Sequence, residues 1–267
     1  MPDTAVPPAL EAVGLRKAFG DFLAVDDVSL TLPAGAALAV VGESGSGKTT
    51  TARMIAGLDV PTTGTLRWNG HGLPGRRARA AERRRFARDV QMVFQDPYAS
   101  LDRHQRVDDC IGEVLALHTD LTGRALTRRT AELLDQVGLG PRQARSLPRA
   151  LSGGQRQRVA IARAVAVQPR VLVLDEAVAA LDVSVQAQII SLLAELRERS
   201  GIAYLFITHD LGLVQHLCDE IAVMHRGRIV ERGPTVSVLE RPQHAYTREL
   251  IDSVPRQGWK PKRRATA

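Results

Sequence analysis

Apolar and polar residues follow two different periods along the chain, and each period predicts a kind of element. Residues 11–35 alternate between apolar and polar positions, and Gly20-Asp21 and Pro33-Ala34-Gly35 interrupt the alternation. This pattern predicts antiparallel strands at the start of the chain. Continuously apolar runs follow at 36–41, 171–174 and 202–207. Runs of this kind are typical of parallel strands that are covered on both faces.

Helical segments separate these strands. The sequence predicts helices over 49–58, 76–88, 185–199 and 211–217, and shorter strands over 65–68, 90–94, 221–225 and 228–231. Strands that alternate with helices predict a mostly parallel, three-layer α/β sheet. Between 107 and 168 the apolar positions recur with helical spacing instead. We therefore expect a helical subdomain inserted into the α/β core, with its last helix beginning near Ser152.

The loop between the strand at 36–41 and the helix after it carries the first chemical signal. It reads GESGSGKT and matches the phosphate-binding pattern G-x-x-x-x-G-K-[ST]. Glycines let backbone N–H groups turn towards a polyphosphate, and the following helix adds unpaired donors and the positive end of its dipole. We expect Lys48 to reach the β- and γ-phosphates and the Thr49 hydroxyl to bind Mg²⁺. The predicted nucleotide-binding residues are Gly42, Glu43, Ser44, Gly45, Ser46, Gly47, Lys48, Thr49 and Thr50.

Polar residues end several of the predicted strands. Asp175 and Glu176 directly follow the run at 171–174. An acidic residue in this position faces the crevice where open α/β sheets bind ligands. We predict that Asp175 contributes to the Mg²⁺ site and that Glu176 orients or deprotonates the water that attacks the γ-phosphate. Gln95 and His209 end two other strands; contact with Mg²⁺, water or the γ-phosphate is a hypothesis for them beside a purely structural role.

Two further segments carry weaker signals. The sequence Leu151-Ser152-Gly153-Gly154-Gln155 opens a helix, so it is either a second anion-binding N-terminus or an ordinary N-cap turn. Phe19 lies at the turn between the first two strands. Its aromatic ring either stacks on a nucleotide base or packs within the turn.

Composition narrows the class of protein. No apolar run approaches the roughly 20 residues of a membrane span, and residues 1–10 lack the features of a signal peptide. The two cysteines, Cys110 and Cys218, are far apart, which argues against a disulfide framework or a zinc site and favours the cytoplasm. The net charge of +7 is concentrated in 76–88 and in a basic tail, 256–267. We interpret these runs as a solvated face and a disordered end, because stacking aromatics that would favour nucleic acid are scarce there.

The order of these motifs resembles that of ATP-binding cassette (ABC) ATPases. Phe19 is similar to their A-loop, GESGSGKT to Walker A, Gln95 to the Q-loop and LSGGQ to the signature. Further along the chain, VLVLDE is similar to Walker B, Leu181-Asp182 to the D-loop and His209 to the H-loop. The resemblance implies an ATPase domain over 8–255 with a P-loop NTPase core and a helical subdomain at 97–168. It implies ATP and Mg²⁺ as cofactors, with Glu176, His209 and Gln95 as catalytic residues and Thr49, Gln95 and Asp175 at the metal.

The same resemblance implies that the site is shared between two chains. In the family, ATP lies between the Walker A loop of one subunit and the signature loop of the other in a head-to-tail dimer. Residues expected to serve the partner's nucleotide are Ser152, Gly153, Gly154 and Gln155, and Asp182 of the D-loop is a further expected nucleotide-binding residue. Closure on ATP and reopening after hydrolysis would then drive a membrane partner.

Three segments, 90–101, 181–188 and 242–250, are similar to the peptide and nickel importer branch of the family. The likeness implies two integral-membrane permeases, a second ATPase subunit, an extracytoplasmic solute-binding protein acting indirectly, and a peripheral location at the cytoplasmic face of the inner membrane. The chain departs from the branch pattern at Ala179, where Ser is usual, at Asp102-Arg103 in place of Asn-Pro, and at Ala245 in place of Pro. Its short tail is closer to nickel-type members.

Two other functions fit parts of the sequence. An accessory subunit of a phosphonate-degrading complex would share the late His-x-Tyr-Thr segment. A soluble ABC ATPase acting on nucleic acid would fit the basic charge, but such relatives typically carry two cassettes, coiled-coil insertions or zinc sites. The sequence shows none of these, so nucleic acid is not an expected partner.

Overall fold

The computed structural model describes residues 7–75, 78–96 and 100–253. The strands in these residues are β1 (Leu10–Phe19), β2 (Phe22–Leu32), β3 (Ala37–Val41), β4 (Thr63–Trp68), β5 (His71–Gly72), β6 (Val90–Val93), β7 (Val171–Asp175), β8 (Ala203–Thr208), β9 (Glu220–His225) and β10 (Arg228–Pro234). The α-helices are α1 (Lys48–Ile55), α2 (Ala80–Asp89), α3 (Val107–His118), α4 (Gly123–Gln136), α5 (Pro141–Ala144), α6 (Gly153–Val165), α7 (Val183–Ser200), α8 (Leu211–Leu217), α9 (Thr235–Glu240) and α10 (Ala245–Asp252). The predicted basic tail lies outside the described residues.

A six-stranded sheet with the order β10-β9-β3-β8-β7-β6 forms the centre of the fold. All neighbouring strands are parallel except β9 and β10, which form an antiparallel hairpin. The prediction of a mostly parallel sheet is therefore confirmed. Because the strands are parallel, the carboxyl ends of β3, β6, β7 and β8 lie at the same edge.

Side chains of this sheet alternate between two buried clusters. In β8, Tyr204 and Phe206 face the cluster shared with the helices α3, α4, α6, α7 and α8, whereas Leu205 and Ile207 face the cluster shared with α1 and β1. All four are fully buried. The two faces explain why 202–207 is continuously apolar, and the three predicted layers are confirmed.

A second, antiparallel sheet has the order β2-β1-β4-β5. The antiparallel strands predicted at the start of the chain are confirmed, but the sheet also recruits β4 and β5, which follow the phosphate-binding loop in sequence. Leu66 and Trp68 of β4 are buried, and the Trp68 ring contacts Phe86 of α2 edge-on at a centroid distance of 5.0 Å. Packing against α2 thus holds β4 on this sheet.

The helices predicted between 107 and 168 are present as α3 to α6. Two other predicted helices have different ends. The helix expected over 49–58 ends at Ile55, because Gly57 takes a left-handed φ of 71° that terminates it. The helix expected over 76–88 begins at Ala80, and residues 76 and 77 are not described. Within the described residues no helix is both long and apolar enough to span a bilayer.

Candidate nucleotide-binding site

The loop Gly42–Gly47 takes a conformation that only glycine fits at two positions. A Cβ on Gly42 (φ 154°) would lie 2.1 Å from the Met224 carbonyl oxygen, and one on Gly47 (φ 104°) would lie 2.5 Å from the Ala24 carbonyl oxygen. Both contacts are to backbone, so neither clash relaxes easily. The two glycines therefore let the loop lie directly against β9 and β2.

The end of this loop presents unpaired donors. Helix α1 starts at Lys48, and the N–H groups of Lys48, Thr49 and Thr50 have no preceding helical turn to accept their hydrogen bonds. No side chain caps this end, and its first turn contains no acidic residue. The Ser46 hydroxyl is buried without a partner among the described residues. These groups form a concave donor surface that suits a phosphate.

Lys48 is the one charged side chain of the loop that is buried, with 4% of its surface exposed. Its Nζ donates to the carbonyl oxygens of Gly42 and Glu43, each at 2.8 Å. Burial lowers the pKa of Lys48, and the nearby carboxylates of Glu176 and Asp175 oppose that shift. Two of its three N–H donors are used within the loop, so one remains for a ligand.

Thr49 contacts the carboxyl end of β7. Its hydroxyl donates to Asp175 Oδ1 at 3.1 Å, and Asp175 is 4% exposed. Burial raises the pKa of Asp175, and the hydrogen bond from Thr49 partly offsets the rise. One carboxylate beside one hydroxyl fits Mg²⁺, which takes few protein oxygens and completes its shell with water and phosphate. Among the described residues no cluster of three or more His, Cys, Asp or Glu side chains forms an all-protein metal site.

Glu176 joins two other strand ends. The Gln95 Nε2 donates to Glu176 Oε2 at 2.9 Å, and His209 Nδ1 lies 3.4 Å from Glu176 Oε1. Glu176 has a φ of +46°, while its N–H donates to the Ile207 carbonyl oxygen of β8 at 2.9 Å. A left-handed backbone at a non-glycine residue costs conformational free energy, and such strained residues cluster at functional sites. The structure thus brings Gln95, Glu176 and His209 together beside Lys48, Thr49 and Asp175.

The Ser152 loop lies elsewhere. Ser152 caps α6 with a reciprocal capping box: its hydroxyl accepts from the Gln155 N–H, and the Gln155 side chain accepts from the Ser152 N–H. A Cβ on Gly154 would lie 2.5 Å from Val185 of α7, so this loop is packed beside Asp182, the N-cap of α7. Among the hydrogen bonds of the described residues, none joins Ser152–Gln155 or Asp182 to the loop 42–47.

Phe19 ends β1 and is 51% exposed. The ammonium of Lys17 lies 5.0 Å from the centroid of its ring. The ring is thus not packed inside the turn, although Lys17 covers one of its faces. Contact between Phe19 and a base stays a prediction.

Sequence reasoning missed the residues that brace the loop from behind. The Gly227 N–H donates to the Ser46 carbonyl at 2.9 Å, and the Gly227 carbonyl accepts from the Asp26 N–H at 2.8 Å. The Tyr246 hydroxyl accepts from the Glu43 N–H at 3.0 Å. Gly227 and Tyr246 lie about 180 to 200 positions from the loop and carry no motif that signals the contact. Only the folded chain reveals them.

The family profile described as "ABC transporter" matches residues 25–179. The chain belongs to the ABC transporter family. The match covers the strand that precedes the glycine loop, the loop itself, Gln95, the Ser152 loop and the Asp175-Glu176 pair. ATP-binding proteins of this family are ATPases, and the chain is one of them.

Several named ABC proteins are similar to this chain. The di/tripeptide transport ATP-binding protein DppF of Pseudomonas aeruginosa is 45% identical over 91% of this chain and 74% of its own length. The oligopeptide transport protein OppD of Mycobacterium bovis is 48% identical over 92% of this chain, and the glutathione import protein GsiA of Salmonella paratyphi A is 49% identical over 87%. The chain spans 40% and 37% of these two longer relatives.

Two solved structures share the fold. The protein cbiO1 from Clostridium perfringens, described as part of the ABC transporter complex cbiONQ, superimposes with a TM-score of 0.78 at 26% identity, over 88% of this chain and 92% of its own. The ATP-binding cassette MJ0796, in a dimeric post-hydrolysis state bound to ADP and Pi, gives a TM-score of 0.74 at 27% identity, over 85% and 98%. The expected ABC ATPase fold is confirmed.

Proposed function

We propose that this chain is the ATP-hydrolysing subunit of an ABC importer for peptides or related solutes. The observation that carries the proposal is the meeting of three strand ends at Glu176, directly beside the loop that suits a polyphosphate. The similarity to DppF, OppD and GsiA supports a peptide-type solute. Nickel as the transported solute stays a prediction.

In the proposed reaction, the donors of Gly42–Thr50 and the ammonium of Lys48 bind the phosphates of ATP. Thr49 and Asp175 would hold Mg²⁺ together with Gln95. When bound, this ion supplies positive charge that stabilises the phosphates during transfer. Glu176 orients the attacking water and accepts its proton, because its carboxylate is fixed by Gln95 and His209 on opposite oxygens. His209 is placed to contact the γ-phosphate.

A second ATPase subunit completes the proposed site. Within the part of the chain that the structure describes, Ser152–Gln155 and Asp182 show no hydrogen bond to the loop 42–47. Ser152 nevertheless opens a helix whose N-terminus suits an anion. The dimeric state of MJ0796 bound to ADP and Pi supports a dimer. In the pairing that we propose, which is head to tail, this face covers a partner's nucleotide. The proposal includes two membrane permeases, an indirect contribution from a solute-binding protein, and a peripheral position at the cytoplasmic face of the membrane.

The test begins with ATP binding by the full chain. Lys48→Ala is expected to weaken the affinity for ATP with Mg²⁺ at least tenfold, because it removes the one buried cation of the loop. Arg128→Ala, which removes an exposed cation on α4, is the matched control and should bind normally. Equal affinities of the two variants would contradict the nucleotide site.

Recovery of the tagged chain with two integral-membrane proteins tests the role in an importer. Recovery in a soluble or DNA-bound complex would contradict that role.

A further inference from the structure

Tyr246 lies in the first turn of α10, 203 residues after Glu43, yet its hydroxyl contacts the nucleotide-binding loop. The Glu43 N–H donates to this hydroxyl at 3.0 Å. Tyr246 is buried, with 6% of its surface exposed. Burial raises the pKa of Tyr246, so the hydroxyl stays protonated and neutral near pH 7.

The ring of Tyr246 makes a second contact that leads to the same loop. It stacks on His225 with a centroid distance of 3.8 Å and an interplanar angle of 21°. His225 ends β9, and two residues later the Gly227 N–H donates to the carbonyl of Ser46. Tyr246 is therefore linked to the loop in two ways. Its hydroxyl contacts Glu43, the second residue of the loop, and its ring packs on His225 of the β9–β10 hairpin, which in turn contacts Ser46.

The turn that precedes Tyr246 is itself fixed. The Tyr246 N–H donates to His244 Nδ1 at 3.2 Å, and the Glu231 carboxylate of β10 accepts from the N–H groups of Gln243 at 2.8 Å and His244 at 3.0 Å. Burial alone would raise the pKa of Glu231, but the hydrogen bonds from the Gln243 and His244 N–H groups oppose the rise, and the pKa is lowered. Tyr246 is thus held from its backbone side as well as at its hydroxyl.

We propose that Tyr246 is a positioning residue for the nucleotide-binding loop. Through its hydroxyl, the docking of α10 affects the affinity of the loop for ATP. The inference rests on the proposed function only in taking ATP as the ligand. The Glu43 N–H is occupied by Tyr246, which fixes the peptide plane at the start of the loop, while the N–H groups at the start of α1 remain for the phosphates. Without the hydroxyl this peptide loses one of its two contacts, the other being the hydrogen bond from Lys48 Nζ to the Gly42 carbonyl, so the loop spends less time in the binding geometry.

The test is Tyr246→Phe in the full chain, which removes the hydroxyl and keeps the stacked ring. The matched control is Tyr204→Phe, because the buried Tyr204 hydroxyl donates to the Leu193 carbonyl at 3.0 Å, away from the loop. We expect the Kd and KM for ATP of Tyr246→Phe to rise roughly three- to tenfold, with kcat within about twofold of the wild type. Tyr204→Phe should leave Kd unchanged. A wild-type Kd for Tyr246→Phe, or an equal rise in both variants, would overturn the proposal.

A measurement on the wild-type chain keeps the inference testable if Tyr246→Phe does not fold. Hydrogen exchange without nucleotide should show a protected Glu43 amide, because its donor is paired with Tyr246. Exchange at the rate of an unprotected loop amide would overturn the contact. The exchange measurement does not depend on ATP. A wild-type chain that binds no ATP would contradict the proposed function, whereas the exchange rate of the Glu43 amide tests only its contact with Tyr246.

Discussion

Gln95 and Glu176 end different strands, 81 residues apart in sequence, and a hydrogen bond of 2.9 Å joins their side chains. The amide of Gln95 fixes one carboxylate oxygen, and His209 lies against the other. An orienting contact of this kind determines where a general base points its free lone pair. Gln95 therefore connects the end of β6 to the group that we assign to water activation.

Gln95→Ala is expected to lower kcat for ATP hydrolysis about tenfold, because Glu176 loses the partner that orients it. The KM for ATP with Mg²⁺ should rise as well, since Gln95 is also one of the residues proposed to hold the ion. Phosphate release measures both constants. Gln136→Ala, at the exposed end of α4, is the matched control. Equal kcat values for the two variants would remove Gln95 from the reaction.

Asp175→Asn is expected to stabilise the fold while it removes most activity. The pKa of Asp175 is raised by burial, so the folded chain holds this proton more tightly than the unfolded chain. The free energy of unfolding that this shift contributes is fully present below the pKa that Asp175 has in the unfolded chain. It is lost as the pH rises through the pKa that Asp175 has in the folded chain. Near pH 7 the charged carboxylate therefore destabilises the folded chain, and the neutral amide of Asn removes this destabilisation.

Thermal melts of Asp175→Asn and the wild type from about pH 4 to about pH 8 check this prediction. The variant should melt on the order of 2 °C higher near pH 7, and the gap should narrow in acid. Asp135→Asn on the exposed face of α4 should show no such gap. A lower melting temperature for Asp175→Asn near pH 7 would contradict the assigned direction.

Asp26→Asn is expected to weaken both the fold and the support of the loop. The Asp26 carboxylate is paired with Arg228 and Arg16 and is only 11% exposed, whereas the two arginines are more than half exposed. Solvent screening on the arginine side limits the loss of stability to about 1–2 kcal/mol, or roughly 2–8 °C in melting temperature. Glu132→Gln, which breaks exposed pairs on α4, should destabilise the fold much less, because water screens these pairs. Equal losses would show that burial does not strengthen the Asp26 pairs.

Gly154→Ala separates a packing effect from a role in the dimer. Its new Cβ would lie 2.5 Å from Val185, whereas a Cβ on Gly153 would lie at an ordinary 3.4 Å from Leu181. We expect Gly154→Ala to lower the melting temperature by about 2–4 °C and Gly153→Ala to lower it less. Val185→Ala in the Gly154→Ala background should restore stability. ATPase activity that stays low in this double variant would support close approach of a second chain, and full recovery would assign the effect to packing.

Local pattern was enough to predict most of the fold. The two faces of β8 are both apolar because helices cover one and α1 with β1 covers the other, and this double burial is what 202–207 displays in sequence. Parallel order then predicts that Gln95, Asp175, Glu176 and His209 share one edge. The exact end of α1 was not predictable, because it depends on the left-handed conformation of Gly57, which packs on Phe86.

Contacts between distant segments were not predictable in this way. Tyr246 belongs to a segment that the sequence related only to an importer branch, and nothing local indicates that its hydroxyl pairs with Glu43. The pairing of β4 with β1 was likewise missed, since alternation along β4 does not specify its partner. Such contacts depend on packing across the whole domain. Of these contacts, the one between Tyr246 and Glu43 is the one that we propose to position the loop.

Phosphate release by Glu176→Gln tests the central claim most directly. The amide keeps the shape of the side chain but accepts no proton, so we expect the rate to fall at least about a hundredfold while ATP still binds. Glu195→Gln, which alters an exposed glutamate of α7, should keep the wild-type rate. A Glu176→Gln rate equal to that of Glu195→Gln would show that hydrolysis does not use Glu176, and would contradict the account.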